Sequence, residues 1–67
     1  MEIKLKIDTE PSDYENSYAW RGNGRLHYIP KSIVNWDGEI LSLPRWLYDE
    51  KRQLFNYLEG KKQLTKL

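Results

Sequence analysis

Residues 2–8 alternate strictly between apolar and charged positions. Ile3, Leu5 and Ile7 point one way, and Glu2, Lys4, Lys6 and Asp8 the other. A period of two is that of a half-buried β-strand, and the charged row would also protect a sheet edge. Residues 9–16, Thr-Glu-Pro-Ser-Asp-Tyr-Glu-Asn, are acidic and rich in turn formers, which predicts a loop carrying Tyr14. Residues 17–21 and 25–29 flank Gly22-Asn23-Gly24, a hairpin signal. A three-residue loop would pair Trp20 with Leu26 and Tyr18 with Tyr28. A two-residue Asn-Gly loop would pair Trp20 with His27 and Tyr18 with Ile29. The three-residue register is the expectation, because it gathers Tyr18, Trp20, Leu26 and Tyr28 on one core face.

Pro30 cannot donate to a ladder, so it marks an edge, a bulge or a bend within a strand over about residues 25–36. Asp37-Gly38 suits a tight turn into a strand over 39–43. Pairing Trp36 with Glu39 would set Val34 opposite Leu41, with Val34, Trp36, Leu41 and Leu43 on one face. Pro44 suits a helix's first turn. From there to Glu59 the spacing is helical: Leu47, Leu54, Phe55 and Leu58 form a stripe, with Tyr48 at its margin and Lys51 snorkelling at the rim. Gly60 reads as the helix stop, and residues 61–67 as an added turn or a frayed tail. The order β-β-β-β-α predicts an α+β domain: a small antiparallel sheet or partial barrel of about four strands, packed by one C-terminal helix.

Size sharpens this picture. Sixty-seven residues bound the chain to one domain. A core this small is marginal, and no cysteine is present to staple it. Three Trp, five Tyr and one Phe compensate, since each buries a large area. Most of them should be core, and two or three should form an exposed contact patch. Dimerisation would be a second route to stability. With one histidine and no thiolate, the sequence argues against a metal site, and it suggests no cofactor. The opening Met1-Glu2-Ile3-Lys4 lacks the apolar run of a signal peptide, and no apolar stretch approaches the ~20 residues of a membrane span. The expectation is a cytosolic protein with no membrane partner.

The net charge of +1 is too small to imply nucleic acid by itself. It hides an asymmetry. Residues 1–20 hold Lys4 and Lys6 against Glu2, Asp8, Glu10, Asp13 and Glu15, and the remainder is net basic. Catalysis finds little support. His27 has no serine or threonine motif beside it, and the carboxylates lie in loops and turns that position poorly. Gly22-Asn23-Gly24 precedes no helix, so it is no phosphate loop. The expectation is a non-enzyme.

Two binding readings remain. Trp20, Arg21, Arg25, Tyr28 and Lys31 interleave cations with aromatics around a hairpin tip, as a single-strand nucleic-acid binder would. Alternatively the chain binds a protein, through Tyr14 in its acidic loop, the hairpin tip, and Trp46 at the helix start, with Tyr57 near Trp46 on the helix flank.

Tyr28-Ile29-Pro30-Lys31-Ser32, then Asp37-Gly38, then Leu43-Pro44-Arg45-Trp46-Leu47 and Lys51 resembles a cassette of small bacteriophage and mobile-element proteins. Those read aromatic-Leu-Pro-Lys-Ser, a hairpin, then Val-Pro-x-Trp-Leu and a lysine. The likeness spans about 24 residues and departs after Lys51, where Arg52-Gln53-Leu54-Phe55 extends the helix. The cassette is structural and has no assigned activity. What the resemblance implies is phage origin, and hence a small protein that binds and modulates or inhibits a host protein or nucleoprotein complex, for instance a defence nuclease or polymerase, in the host cytosol.

Overall fold

The computed structural model describes residues 1–67. It is an α+β domain of two antiparallel sheets, neither closed into a barrel, with two helices against them. The strands are β1 (Glu2–Ile7), β2 (Ser12–Asp13), β3 (Ser17–Gly22), β4 (Arg25–Pro30), β5 (Asn35–Trp36), β6 (Ile40–Pro44) and β7 (Leu64–Lys66). The helices are α1 (Arg45–Glu50) and α2 (Arg52–Gly60). One sheet runs β5-β6-β1-β7 and the other β2-β3-β4.

The alternation of β1 is used as written. Leu5 lies opposite Leu41 and Ile3 opposite Leu43. Leu5 and Ile7 are buried while Glu2, Lys4 and Lys6 are exposed. The core gathers these residues with Trp20, Ile29, Leu47, Tyr48, Leu54, Phe55, Leu58 and Leu64. Trp20 joins the two sheets: its indole meets Trp36 of β5 edge-on, with centroids 5.2 Å apart, and its Nε1 donates to the Thr9 carbonyl at 2.9 Å.

The first hairpin closes in the two-residue register. Trp20 lies opposite His27 and Tyr18 opposite Ile29. Asn23 and Gly24 both take positive φ, 53° and 78°, the type I′ geometry whose twist matches the flanking strands. The three-residue expectation therefore fails. Leu26 and Tyr28 fall on the face away from Trp20. Gly22 becomes a buried strand residue against Leu54 of α2, and the lack of a side chain there is what permits the approach.

The expected strand over 25–36 breaks at Pro30. Its carbonyl accepts from the Ile33 N–H at 3.3 Å, forming a turn, and the chain crosses to the other sheet as β5. Trp36 then pairs with Leu41 instead of Glu39. The shift is two residues, so every side chain keeps its face. The wider turn is held by Asp37, whose carboxylate accepts from the N–H groups of Glu39 at 2.9 Å and Ile40 at 2.6 Å.

The single helix expected over 44–59 is two, parted at Lys51, whose φ of −99° and ψ of 26° leave the helical well. Tyr48 and Phe55 are seven residues apart, about 10 Å along a straight helix. The bend stacks their rings at 5.3 Å. Pro44 is not in the helix's first turn: it closes β6 in extended conformation and stands just before α1, with no side-chain capping hydrogen bond. Gly60 does not end the helix by a left-handed turn; Lys62 supplies it, with φ 59°. The tail then pairs with β1 as β7, Leu64 opposite Ile7. The predicted 9–16 loop also contains a strand, β2, paired with β3.

Two outcomes test this packing. A Cβ at Gly22 would lie 2.8 Å from Leu54 Cδ1, and Leu54 is fully buried. Gly22→Ala should therefore cost about 1–3 kcal/mol through overpacking, read as a lowered urea midpoint. The second concerns Asp37, whose carboxyl is held below its ordinary pKa by the Ile40 N–H first and the Glu39 N–H second. Its contribution is present above the unfolded-state pKa of about 3.9 and is lost as pH falls through the lower folded-state value. Asp37→Asn should lose less stability than the natural chain between about pH 6 and about pH 2. Parallel losses in urea melts would exclude this turn as the titrating element.

Candidate functional site

Strand alternation and the observed register assign every hairpin side chain to a face. Tyr18, Trp20, Gly22, Arg25, His27 and Ile29 share the inner row; Ser17, Ala19, Arg21, Leu26, Tyr28 and Pro30 share the outer. Tyr14 joins the outer row. Ser12 lies opposite Ala19 and Asp13 opposite Tyr18, and the Tyr14 N–H donates to the Ser17 carbonyl at 2.9 Å.

The outer face therefore carries two tyrosines side by side. The rings of Tyr14 and Tyr28 lie 5.7 Å apart, tilted at 47°, and are 45% and 50% exposed. Ala19, opposite Tyr28 on the same face, is buried among its neighbours. Its small side chain lets the larger ones approach over it. Leu26 is half-buried and Arg21 exposed on this face. The result is an aromatic platform with one cation, mounted on a three-stranded sheet.

The remaining candidates are elsewhere. Trp20 is 1% exposed and its indole N–H is spent on Thr9, so no ligand can reach it. Lys31 is half-buried. Its ammonium pairs with the Asp13 carboxylate and sits 5.0 Å from the Tyr18 ring centre. It braces β2 against the chain leaving β4. Arg25 is exposed, but on the inner row, opposite in sense to Arg21. Trp46 is 55% exposed on α1, on a different element from the hairpin. Tyr57 packs on the core from α2 with Lys61 5.6 Å over its ring. The bend at Lys51 divides the flank on which Trp46 and Tyr57 were expected together.

A groove that the sequence did not reveal runs beside β4. It holds about 580 Å³ between Arg25–Tyr28 and the α1–α2 turn, Asp49–Gln53. Asp49 is shared there by Arg45 at 3.4 Å and Arg52 at 3.5 Å. These are exposed pairs of little energetic weight. His27 also lines the groove and makes no side-chain hydrogen bond. No three His, Asp or Glu side chains gather as a metal ion would need, and no helix is long and apolar enough to cross a membrane. The Asn23-Gly24 pair was the signal that could have found the platform, because its two-residue turn decides which side of the hairpin Leu26 and Tyr28 occupy; the groove also needs the helix break at Lys51, which the sequence pattern did not show.

No protein-family model, curated protein or solved structure matches the chain.

The division between core and surface aromatics is directly measurable. Trp20→Ala should cost about 3–5 kcal/mol, enough to unfold a domain this small. Tyr14→Ala and Tyr28→Ala should each cost under about 1 kcal/mol. Thermal melts of the three variants would order them in that way.

Proposed function

We propose that this chain is a non-enzymatic interaction protein that binds a partner protein through the outer face of its three-stranded sheet. The observation that carries the reading is the exposed Tyr14–Tyr28 pair on that face. Tyrosine delivers large contact area at low entropic cost, and such residues dominate binding energy when they sit at the centre of an interface. Here Tyr28 stands on β4, the Tyr14 backbone is tied to Ser17 and the two rings pack on each other, so less ordering remains to be lost on association.

The resemblance of residues 28–51 to phage and mobile-element proteins suggests the partner. It would be a host protein or nucleoprotein complex, met in the host cytosol, whose activity the bound chain modulates or inhibits. This supports an anti-defence role by association only.

Single-stranded nucleic acid is the weaker reading. Its five candidate residues do not converge: Trp20 is core, Lys31 is tied to Asp13, and Arg21 and Arg25 diverge. Only Arg21 among the cations shares the tyrosine face, whereas phosphate recognition needs several.

Affinity capture from host lysate, treated with nuclease, tests the choice. The natural chain should retain a protein partner. Tyr14→Ala with Tyr28→Ala should weaken it by about thirtyfold, the equivalent of about 2 kcal/mol, while Trp46→Ala should retain it. Recovery of nucleic acid alone, emptied by nuclease, would sink the proposal.

A further inference from the structure

We infer that the free edge of β4 takes an extended segment of the partner as an added strand, with Leu26 and Tyr28 as its backbone anchors. This rests on the protein-binding reading above and names its mode. The two sheets present four edges: β5, β7, β2 and β4. β5 and β2 have two residues each and β7 three. Brevity is a common defence against unwanted pairing. β4 has six residues, and its edge is the long one left open.

The hydrogen-bonding sense of that edge follows from the turn. In a two-residue hairpin the flanking pair, here Gly22 and Arg25, exchanges both hydrogen bonds, and alternate pairs repeat the pattern. Arg25, His27 and Ile29 therefore direct N–H and C=O toward β3. The Lys31 N–H continues the series, donating to the Asn16 carbonyl at 3.0 Å. Leu26 and Tyr28 direct theirs outward, and no backbone or side-chain group in the chain bonds them across that edge. Two donors and two acceptors thus stand open, repeating every ~7 Å as a partner strand requires. Pro30 ends the row.

The surroundings suit a strand more than a flat surface does. The groove of about 580 Å³ runs along this edge, walled on its far side by the α1–α2 turn, and is of a size usual for ligand sites. An added strand would alternate its side chains. Those on the outer side would meet Leu26 and Tyr28, and so extend the tyrosine platform; apolar or aromatic residues fit there. Those on the inner side would meet Arg25 and His27 of β4 and Lys51 across the groove. Neither Arg25 nor Lys51 has a carboxylate within ion-pair distance; of the two carboxylates on that wall, Asp49 is paired with Arg45 and Arg52 and Glu50 is unpaired. The occupant is therefore an extended peptide segment in which apolar and acidic residues alternate. A second copy of this chain would bring the same unpaired cations instead of the carboxylates they lack.

At this length the chain is accessible to chemical synthesis, so the edge donors can be removed without touching a side chain. Two proteins would be made, one N-methylated at the Leu26 amide and one at the Tyr28 amide. The probe is a displayed library of heptapeptides with Val, Ile or Tyr at alternate positions and Glu, Thr or Lys between them. Glu-containing members should be enriched on the natural chain and bind each methylated chain at least about tenfold more weakly, the loss of about one hydrogen bond. Amide exchange gives a second reading on the unmodified protein: the Leu26 and Tyr28 amides should be unprotected when free and protected once peptide is added. Failure to enrich any peptide, equal affinity for folded methylated chains, or unchanged exchange at both amides would each overturn the inference. So would a dimer of the natural chain that methylation dissociates, since the edge would then belong to a second copy. A captured host partner that ignores methylation but is lost with Tyr14→Ala and Tyr28→Ala would defeat the added strand and leave the protein-binding reading standing.

Discussion

The burial of Trp20 is the constraint on which the rest of the structure depends. A chain this short has no single sheet large enough to enclose a core, so two small sheets must share one. Trp20 joins them from β3. It contacts Trp36 in the other sheet edge-on, a favourable aromatic geometry, and satisfies its indole N–H on the carbonyl of Thr9, which leads out of β1. One side chain therefore couples three segments distant in sequence. The same burial removes the residue that most resembled a stacking platform for nucleic acid.

What remains exposed is arranged by the two-residue turn. Positive φ at Asn23 and Gly24 sets the register, the register sends Trp20 inward, and Tyr28 then points outward beside Tyr14. Gly22 completes the arrangement because only a bare backbone fits against Leu54. Core packing and surface chemistry here share one cause. A longer loop would have put Tyr28 in the core and left no platform.

The two helices contribute through their break. The bend at Lys51 lets Tyr48 and Phe55 stack in the core, and it turns the residues around it toward β4. The groove is a by-product of that packing requirement. It lies between Arg25–Tyr28 of β4 and the mixed charges of Asp49–Gln53. A strand added there would be selected for extended conformation first and for side-chain charge second.

Much of the fold was legible in residue patterns. The period of two in β1 named both its faces, and the helical spacing of Leu47, Leu54, Phe55 and Leu58 named the stripe that enters the core. Asp37-Gly38 announced a turn, whereas Pro30 was read only as an edge, bulge or bend in a strand that in fact ends there. These are local signals, set by sterics and by which side chains water rejects. The candidate site was legible only as a set of residue types. Tyr14, Tyr28, Arg21, Arg25, Lys31, Trp20 and Trp46 were all visible, but which of them share a surface was not. That depends on register, where Asn-Gly and Gly-Asn-Gly loops differ by one residue and reverse a strand's faces. It depends also on pairing across the chain: β7 has only three residues and forms because β1 offers it an edge, and Lys31 is spent because Asp13 is brought beside it. Local preference determined the long strands and the apolar helical stripe. Long-range pairing, decided by what the small core could enclose, determined which tyrosines were left at the surface and which strand edge was left open.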